Sequence, residues 1–147
     1  MGSMKTILLL DDNKYVLDIL SISLRAFLKD CTVLTASNGA SGMELLRSRD
    51  VDLILTDLDM PIMNGYVFIK LAKEVKPGVP VCVMTGECSP EIEQKLRPLG
   101  VRWCIEKPFQ IDELTRRISE ELYMSEQAQG ENRLSDFPLR YRHPQAK

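Results

Sequence analysis

Short apolar segments alternate with longer amphipathic segments along this chain. The short segments are rich in aliphatic and β-branched residues, which is typical of strands covered on both faces of a sheet. They are Thr6–Leu10, Thr32–Ala36, Leu53–Thr56, Val81–Thr85 and Val101–Ile105. Five such strands alternating with five helices predict an α/β fold with a doubly wound parallel sheet. We expect the flavodoxin-like strand order 2-1-3-4-5.

The segments between the predicted strands place apolar residues at helical spacing, so each helix should have one face on the sheet. The stripe predicted for the first helix consists of Val16, Ile19, Leu20, Leu24 and Phe27. The fourth helix is predicted to begin at Pro90, because Ser89 can cap it and proline is favoured in a first turn.

Composition and charge narrow the class of protein. A chain of 147 residues that is 44% hydrophobic can form one domain with a sizeable core. A net charge of -2 gives no electrostatic argument for binding nucleic acid or an anionic membrane. No apolar run approaches the roughly 20 residues of a membrane span, and no signal peptide opens the chain. Cys31, Cys82, Cys88 and Cys104 form no CxxC pair, so we expect reduced thiols in a cytoplasmic protein.

Polar residues collect where the predicted strands end. In chain order they are Asp11, Asp12, Asp57, Asp59, Thr85, Gly86 and Lys107. In such sheets the functional crevice lies beyond the carboxyl ends of the strands, at the switch point between strands 1 and 3. Clustered carboxylates without histidine or cysteine suit Mg²⁺, while an ammonium and a hydroxyl suit phosphoryl oxygens. The sequence therefore predicts a phosphoryl group beside a metal, with an aspartate as its covalent acceptor.

Four motifs then occur in a familiar order. They are the acidic pair Asp11-Asp12, the segment DLDMPIMNG, the Thr85-Gly86 step and KPF at Lys107. Together they resemble the receiver domains of two-component response regulators, over roughly Met4 to Met124. The resemblance implies a phosphorylation-activated signalling switch. Its Asp57 would receive a phosphoryl group from a sensor histidine kinase or a phosphotransfer protein.

The resemblance also implies a role for each site residue. The carboxylates of Asp12 and Asp57 and the backbone carbonyl of Asp59 would hold Mg²⁺, with Asp11 helping through water. The phosphoryl oxygens would be bound by Thr85, Lys107 and the amides of Leu58 and Gly86. A cis peptide would precede Pro108. The domain would catalyse only its own phosphorylation and dephosphorylation.

Phosphorylation would change the surface made by the fourth helix, the fifth strand and the fifth helix. The implied partner at this surface is a downstream target protein, a missing output domain, or a second copy of the chain in a phosphorylation-dependent dimer. No direct contact with nucleic acid or with a membrane is expected of this chain.

Two positions are unusual. Receivers usually carry Tyr or Phe three residues before the lysine, where this chain has Cys104, and the aromatic Trp103 comes one residue earlier. Because successive strand side chains face opposite ways, Trp103 cannot replace the missing ring without a bulge. We expect Trp103 to pack on the fourth or fifth helix and Cys104 to be a small buried filler. The side chain of Asp59 is free to face the phosphoryl pocket, and the alternative is that it points to solvent.

Three other functions fit the sequence less well. A D-x-D pair also occurs in haloacid-dehalogenase-type phosphatases, but there it ends the first strand and the second acidic pair follows it. A receiver used only for binding would lack Asp57, Lys107 or the acidic pair, and none is missing. A flavin site would need a phosphate-cradling loop after the first strand, and none is present.

The chain is predicted to have three parts. Residues 1–3 look like an expression scar, residues 4–125 form the receiver domain, and residues 126–147 form a polar and basic C-terminal tail or linker. The tail is too short to be a helix-turn-helix output domain. The sequence leaves open whether the protein is a stand-alone receiver or a piece of a longer regulator.

Overall fold

The computed structural model describes residues 4–124 and 140–141. The strands are β1 (Lys5–Leu10), β2 (Cys31–Ala36), β3 (Leu53–Asp57), β4 (Val81–Thr85), β5 (Cys104–Glu106) and β6 (Arg140–Tyr141). The helices are α1 (Lys14–Phe27), α2 (Gly39–Ser48), α3 (Gly65–Val75), α4 (Pro90–Leu96) and α5 (Ile111–Met124), with a 3₁₀ turn at Arg97–Leu99. Among residues 4–124, no helix combines the length and apolar content that crossing a bilayer requires.

The strands form one parallel sheet in the order β2-β1-β3-β4-β5-β6. The predicted order 2-1-3-4-5 is confirmed, and β1 and β3 are neighbours at the switch point. Leu10 pairs with Thr56 in their register. Asp11 and Asp57, the next residue of each strand segment, therefore lie level at the carboxyl end of the sheet.

The strands β5 and β6, which precede and follow α5, differ from the prediction. β5 was expected over Val101–Ile105 but spans Cys104–Glu106. The preceding residues still bond to β4, since the Arg102 N–H donates to the Val81 carbonyl at 2.8 Å. They follow a left-handed turn at Gly100, with φ of 75°, and join the sheet only gradually. β6 was not predicted at all, and it pairs with β5 through Cys104–Arg140 and Ile105–Tyr141.

Apolar side chains fill both faces of the sheet, because alternate strand residues point to opposite sides. On β1, Leu8 and Leu10 join the core beneath α2, α3 and α4. Ile7 and Leu9 join the core beneath α1 and α5. All four of these side chains are fully buried. Strands that are apolar on both faces thus account for the helices packed on both sides of the sheet.

The predicted stripe of α1 is partly wrong. Ile19 and Phe27 are 56% and 61% exposed, and the residues that α1 buries are Leu17, Leu20 and Leu24. With 3.6 residues per turn, these three share one side of the helix. Tyr15, Ile19 and Ile22 share the opposite side, and they are 79%, 56% and 69% exposed. The helix is therefore apolar on two faces, of which only one is packed.

Candidate functional site

Three carboxylates meet at the carboxyl ends of β1 and β3. One oxygen each from Asp11, Asp12 and Asp57 lies within 4.8 Å of the other two. Asp11 and Asp57 are buried, with 1% and 6% of their surface exposed, whereas Asp12 is exposed to solvent. The side chain of Asp11 accepts the Asn13 N–H at 2.8 Å, and Asn13 in turn caps α1. The strand end and the helix start therefore hold this carboxylate in place.

Lys107 joins two of these carboxylates. Its Nζ lies 2.7 Å from Asp11 Oδ2 and 3.0 Å from Asp57 Oδ2. The Lys107 N–H also donates to the Thr85 carbonyl at 2.8 Å, which fixes the backbone of the lysine to the end of β4. The Lys107–Pro108 peptide bond is cis, as the resemblance implied.

The other oxygen of Asp57 is held by backbone amides. Oδ1 accepts the N–H of Leu58 at 2.7 Å and that of Asp59 at 3.3 Å. This turn is tight, because the Gly65 N–H donates to the Leu58 carbonyl at 2.8 Å. A Cβ on Gly65 would lie 2.6 Å from Leu58 Cα, so the close approach of α3 requires glycine there. The glycine of the DLDMPIMNG segment thus shapes the loop that presents Asp57.

The electrostatics of the site follow from burial and from these contacts. Burial raises the pKa of Asp57, although the hydrogen bond from Lys107 opposes this shift. Burial lowers the pKa of Lys107, but its hydrogen bonds to Asp11 and Asp57 outweigh burial and raise it. Lys107 is thus held as a cation, and its ammonium group is shared by two of the three clustered carboxylates, Asp11 and Asp57.

The donor set of this cluster fits Mg²⁺. It offers oxygen atoms alone, from three carboxylates at one solvent-accessible edge, which suits a hard cation that keeps several waters. Asp59 is near the site but is not one of the three clustered carboxylates. Its side chain is exposed to solvent. Its backbone remains at the site through the N–H bond to Asp57.

Thr85 and Gly86 lie at the same edge of the sheet. Thr85 is the last residue of β4 and is 3% exposed, and Met84 before it pairs with Asp57. Gly86 begins the loop towards α4 and is exposed. The fold therefore brings the predicted hydroxyl and amide to the strand end beside Asp57.

The two unusual residues before Lys107 face opposite sides of the sheet. Trp103 is 3% exposed in the core with Leu114 and Ile118 of α5, and the Arg117 Cζ lies 5.7 Å from its ring centroid. Cys104 is fully buried in the other core. The predictions of Trp103 as a packing residue and Cys104 as a buried filler are confirmed.

Sequence reasoning missed what Cys104 contacts. Its Sγ lies 2.6 Å from the Sγ of Cys88, which is in the loop between β4 and α4. The Cys88 N–H donates to Glu106 Oε1 at 3.0 Å. No periodicity marked Cys88, since it stands in a polar loop, so its contact with β5 arises only from the packing of that loop.

The chain's similarity to known proteins agrees with this geometry. The family model described as "Response regulator receiver domain" matches residues 7–119. The chain therefore belongs to the response-regulator receiver domain family.

Relatives and solved structures are similar over most of the chain. The transcriptional regulatory protein GlrR of Escherichia coli is 32% identical over 85% of this chain and 28% of its own length. The cell cycle response regulator CtrA of Brucella ovis is 32% identical over 76% of this chain and 47% of its own length. A CheY-like receiver domain protein from Methanospirillum hungatei has a TM-score of 0.79 and 27% identity, covering 85% of this chain and 98% of its own. The chain thus spans less than half the length of these two curated relatives.

Proposed function

We propose that this domain is a phosphorylation-activated switch that receives a phosphoryl group on Asp57. The donor is the phosphohistidine of a sensor histidine kinase or of a phosphotransfer protein in the cytoplasm. The observation that carries the proposal is the position of Asp57. Its carboxylate ends β3 beside two further carboxylates, with the Lys107 ammonium 3.0 Å away. The match to the receiver family supports it.

The chemistry asked of the protein is positioning and charge stabilisation. A carboxylate oxygen of Asp57 attacks phosphorus, the phosphorus–nitrogen bond breaks, and the imidazole leaves. The amides of Leu58 and Asp59 orient the carboxylate, and Lys107 offers positive charge to the transferred group. Mg²⁺ held by Asp11, Asp12, Asp57 and the backbone of Asp59 would supply the remaining charge neutralisation. The domain would thus catalyse only its own phosphorylation and dephosphorylation.

The unpacked face of α1 supports the docking of a protein donor. Tyr15, Ile19 and Ile22 form an exposed apolar stripe on the helix that begins just after Asp12. Ile62, in the loop that follows Asp57, is 84% exposed. Contiguous exposed apolar side chains are characteristic of interaction surfaces. A partner bound here would have its reactive group near the acidic site.

The output surface in this proposal is formed by α4, β5 and α5. A phosphoryl group on Asp57 adds negative charge beside Thr85, which ends β4, and Lys107, which follows β5. The Lys107 N–H donates to the Thr85 carbonyl. Movement of these two strand ends would bias the adjoining loops between two arrangements. A downstream target, an output domain or a second copy of the chain would recognise the changed surface.

Intact-mass spectrometry with acetyl phosphate tests the proposal. The wild-type chain should gain one phosphoryl group in the presence of Mg²⁺ and none after its removal with a chelator. Asp57→Asn should gain none, whereas Asp50→Asn, which changes an exposed acid outside the site, should behave like wild type. An undiminished phosphoryl signal in Asp57→Asn would overturn the assignment.

A further inference from the structure

Cys88 and Cys104 form a buried pair that links two elements of the fold. Their Sγ atoms are 2.6 Å apart, both side chains are fully buried, and both belong to the same core. Cys88 lies between β4 and α4, and Cys104 is the first residue of β5. The chain between them contains all of α4. All four cysteines of the protein are reduced thiols in this structure.

We propose that Cys88 and Cys104 are an oxidisable pair whose disulfide fastens the β4–α4 loop to β5. The oxidant is hydrogen peroxide. The sulfur of Cys88 attacks one oxygen of the peroxide, and the oxygen–oxygen bond breaks. The other oxygen leaves as water with the thiol proton, and Cys88 becomes a sulfenic acid. The Cys104 sulfur then attacks the Cys88 sulfur, the disulfide bond forms, and the hydroxyl leaves with the Cys104 proton as a second water.

The surroundings indicate which thiol reacts first. Cys88 has exposed neighbours on both sides, Gly86 and Glu87 before it and Pro90 after it, so a local opening of the loop admits peroxide. Cys104 lies on a strand between β4 and β6. Its hydrogen bond with Cys88, together with burial, raises its pKa and keeps it protonated while the loop is closed. Oxidation is therefore paced by loop opening.

The other two cysteines provide internal controls. Cys31 and Cys82 belong to the core on the opposite face of the sheet. Burial raises the pKa of Cys31 to about 11 and the pKa of Cys82 well above its usual value. All four thiols are thus buried. What distinguishes Cys88 and Cys104 is the contact between their sulfur atoms.

The disulfide would restrict the part of the domain that the proposed function needs to move. It would join the loop two residues after Gly86 to the strand that leads into Lys107. The hydrogen bond from the Cys88 N–H to the Glu106 carboxylate already holds the same loop. This consequence for signalling rests on the proposed function. The formation of the bond and the stiffening of the loop do not depend on it.

Peptide mapping of the native, unphosphorylated protein after peroxide treatment tests the inference. Alkylation under denaturing conditions should detect two thiols instead of four, and the mapped disulfide should join Cys88 to Cys104. Hydrogen exchange at backbone amides of residues 86–96 should slow at least several-fold in the oxidised protein and recover after reduction. Cys31→Ser should still form the bond, whereas Cys88→Ser and Cys104→Ser should not.

Four alkylated thiols after treatment, a disulfide between other cysteines, or unchanged exchange over residues 86–96 would overturn the inference. The mapping uses the wild-type chain, so a serine variant that fails to fold leaves the test intact. A reduced protein that takes no phosphoryl group would refute the proposed function instead.

Discussion

The acidic site and the thiol pair are two regions of the same sheet, and their residues come together in different ways. The site collects charged residues from β1, β3 and the segment after β5, each at a strand end. The thiol pair joins a loop residue to a strand residue within an apolar core. Strand order alone brings the first group together, whereas the second depends on how one loop packs. The first can be read from sequence and the second cannot.

The largest expected effect compares Trp103, just before β5, with Cys104, the first residue of β5. Their side chains lie in the cores on opposite faces of the sheet. Trp103→Ala should lower the free energy of unfolding by about 4 kcal/mol, since it removes a large buried ring from the core under α5. Cys104→Ala should lower it by only about 1 kcal/mol, because it removes a single sulfur atom. Urea denaturation followed by circular dichroism measures both. Equal losses would show that the loop side of β5 is packed as heavily as the α5 side.

The next effect is expected within the acidic site. Lys107→Met should destabilise the metal-free protein by about 2 kcal/mol, because two buried carboxylates lose their cation. The value is reduced from that of a fully buried pair, since the Lys107 side chain is 27% exposed. Lys70→Met, at an exposed position of α3, should change stability by less than about 0.5 kcal/mol. A Lys107→Met protein as stable as wild type would show that the lysine does not hold the site together.

Asp12→Asn should have a smaller effect of the opposite sign. Removing one of three neighbouring carboxylates relieves repulsion, so the metal-free protein should gain about 0.5 kcal/mol. The wild type should be stabilised by added Mg²⁺ in thermal unfolding, because a ligand that binds the folded state stabilises it. The variant should lose that response. A variant that keeps the full Mg²⁺ response would place the metal elsewhere.

The smallest effect concerns communication between the acidic site and Trp103, on the face of the sheet opposite the thiol pair. Beryllofluoride with Mg²⁺ should shift the emission of Trp103 only slightly, because its ring packs on α5 and faces away from the Cys104 side of β5. Thr85→Ala should leave this small shift unchanged. A large shift that disappears in Thr85→Ala would mean that Trp103 moves with the hydroxyl, and the acidic site would then be coupled to the α5 core through the tryptophan.

Particular residues show how far sequence reasoning reached. Asp11 and Asp57 could be placed together because each follows an apolar run, and parallel strands end at the same edge. The contact between Cys88 and Cys104 could not, since no periodicity fixes the path of a short loop. Ile19 was assigned to the buried face of α1 because an exposed isoleucine leaves the same hydrophobic signal as a buried one.

β6 affects how readily one copy of this domain can pair with another through the edge of the sheet. A sheet edge with free main-chain donors and acceptors can recruit a strand from another molecule and start aggregation. Residues 140–141 of the same chain pair with β5, so another molecule cannot pair with β5 at these positions. In the part of the chain that the structure describes, the edge strands are then β2 and β6, and β6 is only two residues long. A strand this short offers few free main-chain groups, so we expect it to disfavour strand addition by another copy on the β5 side of the sheet.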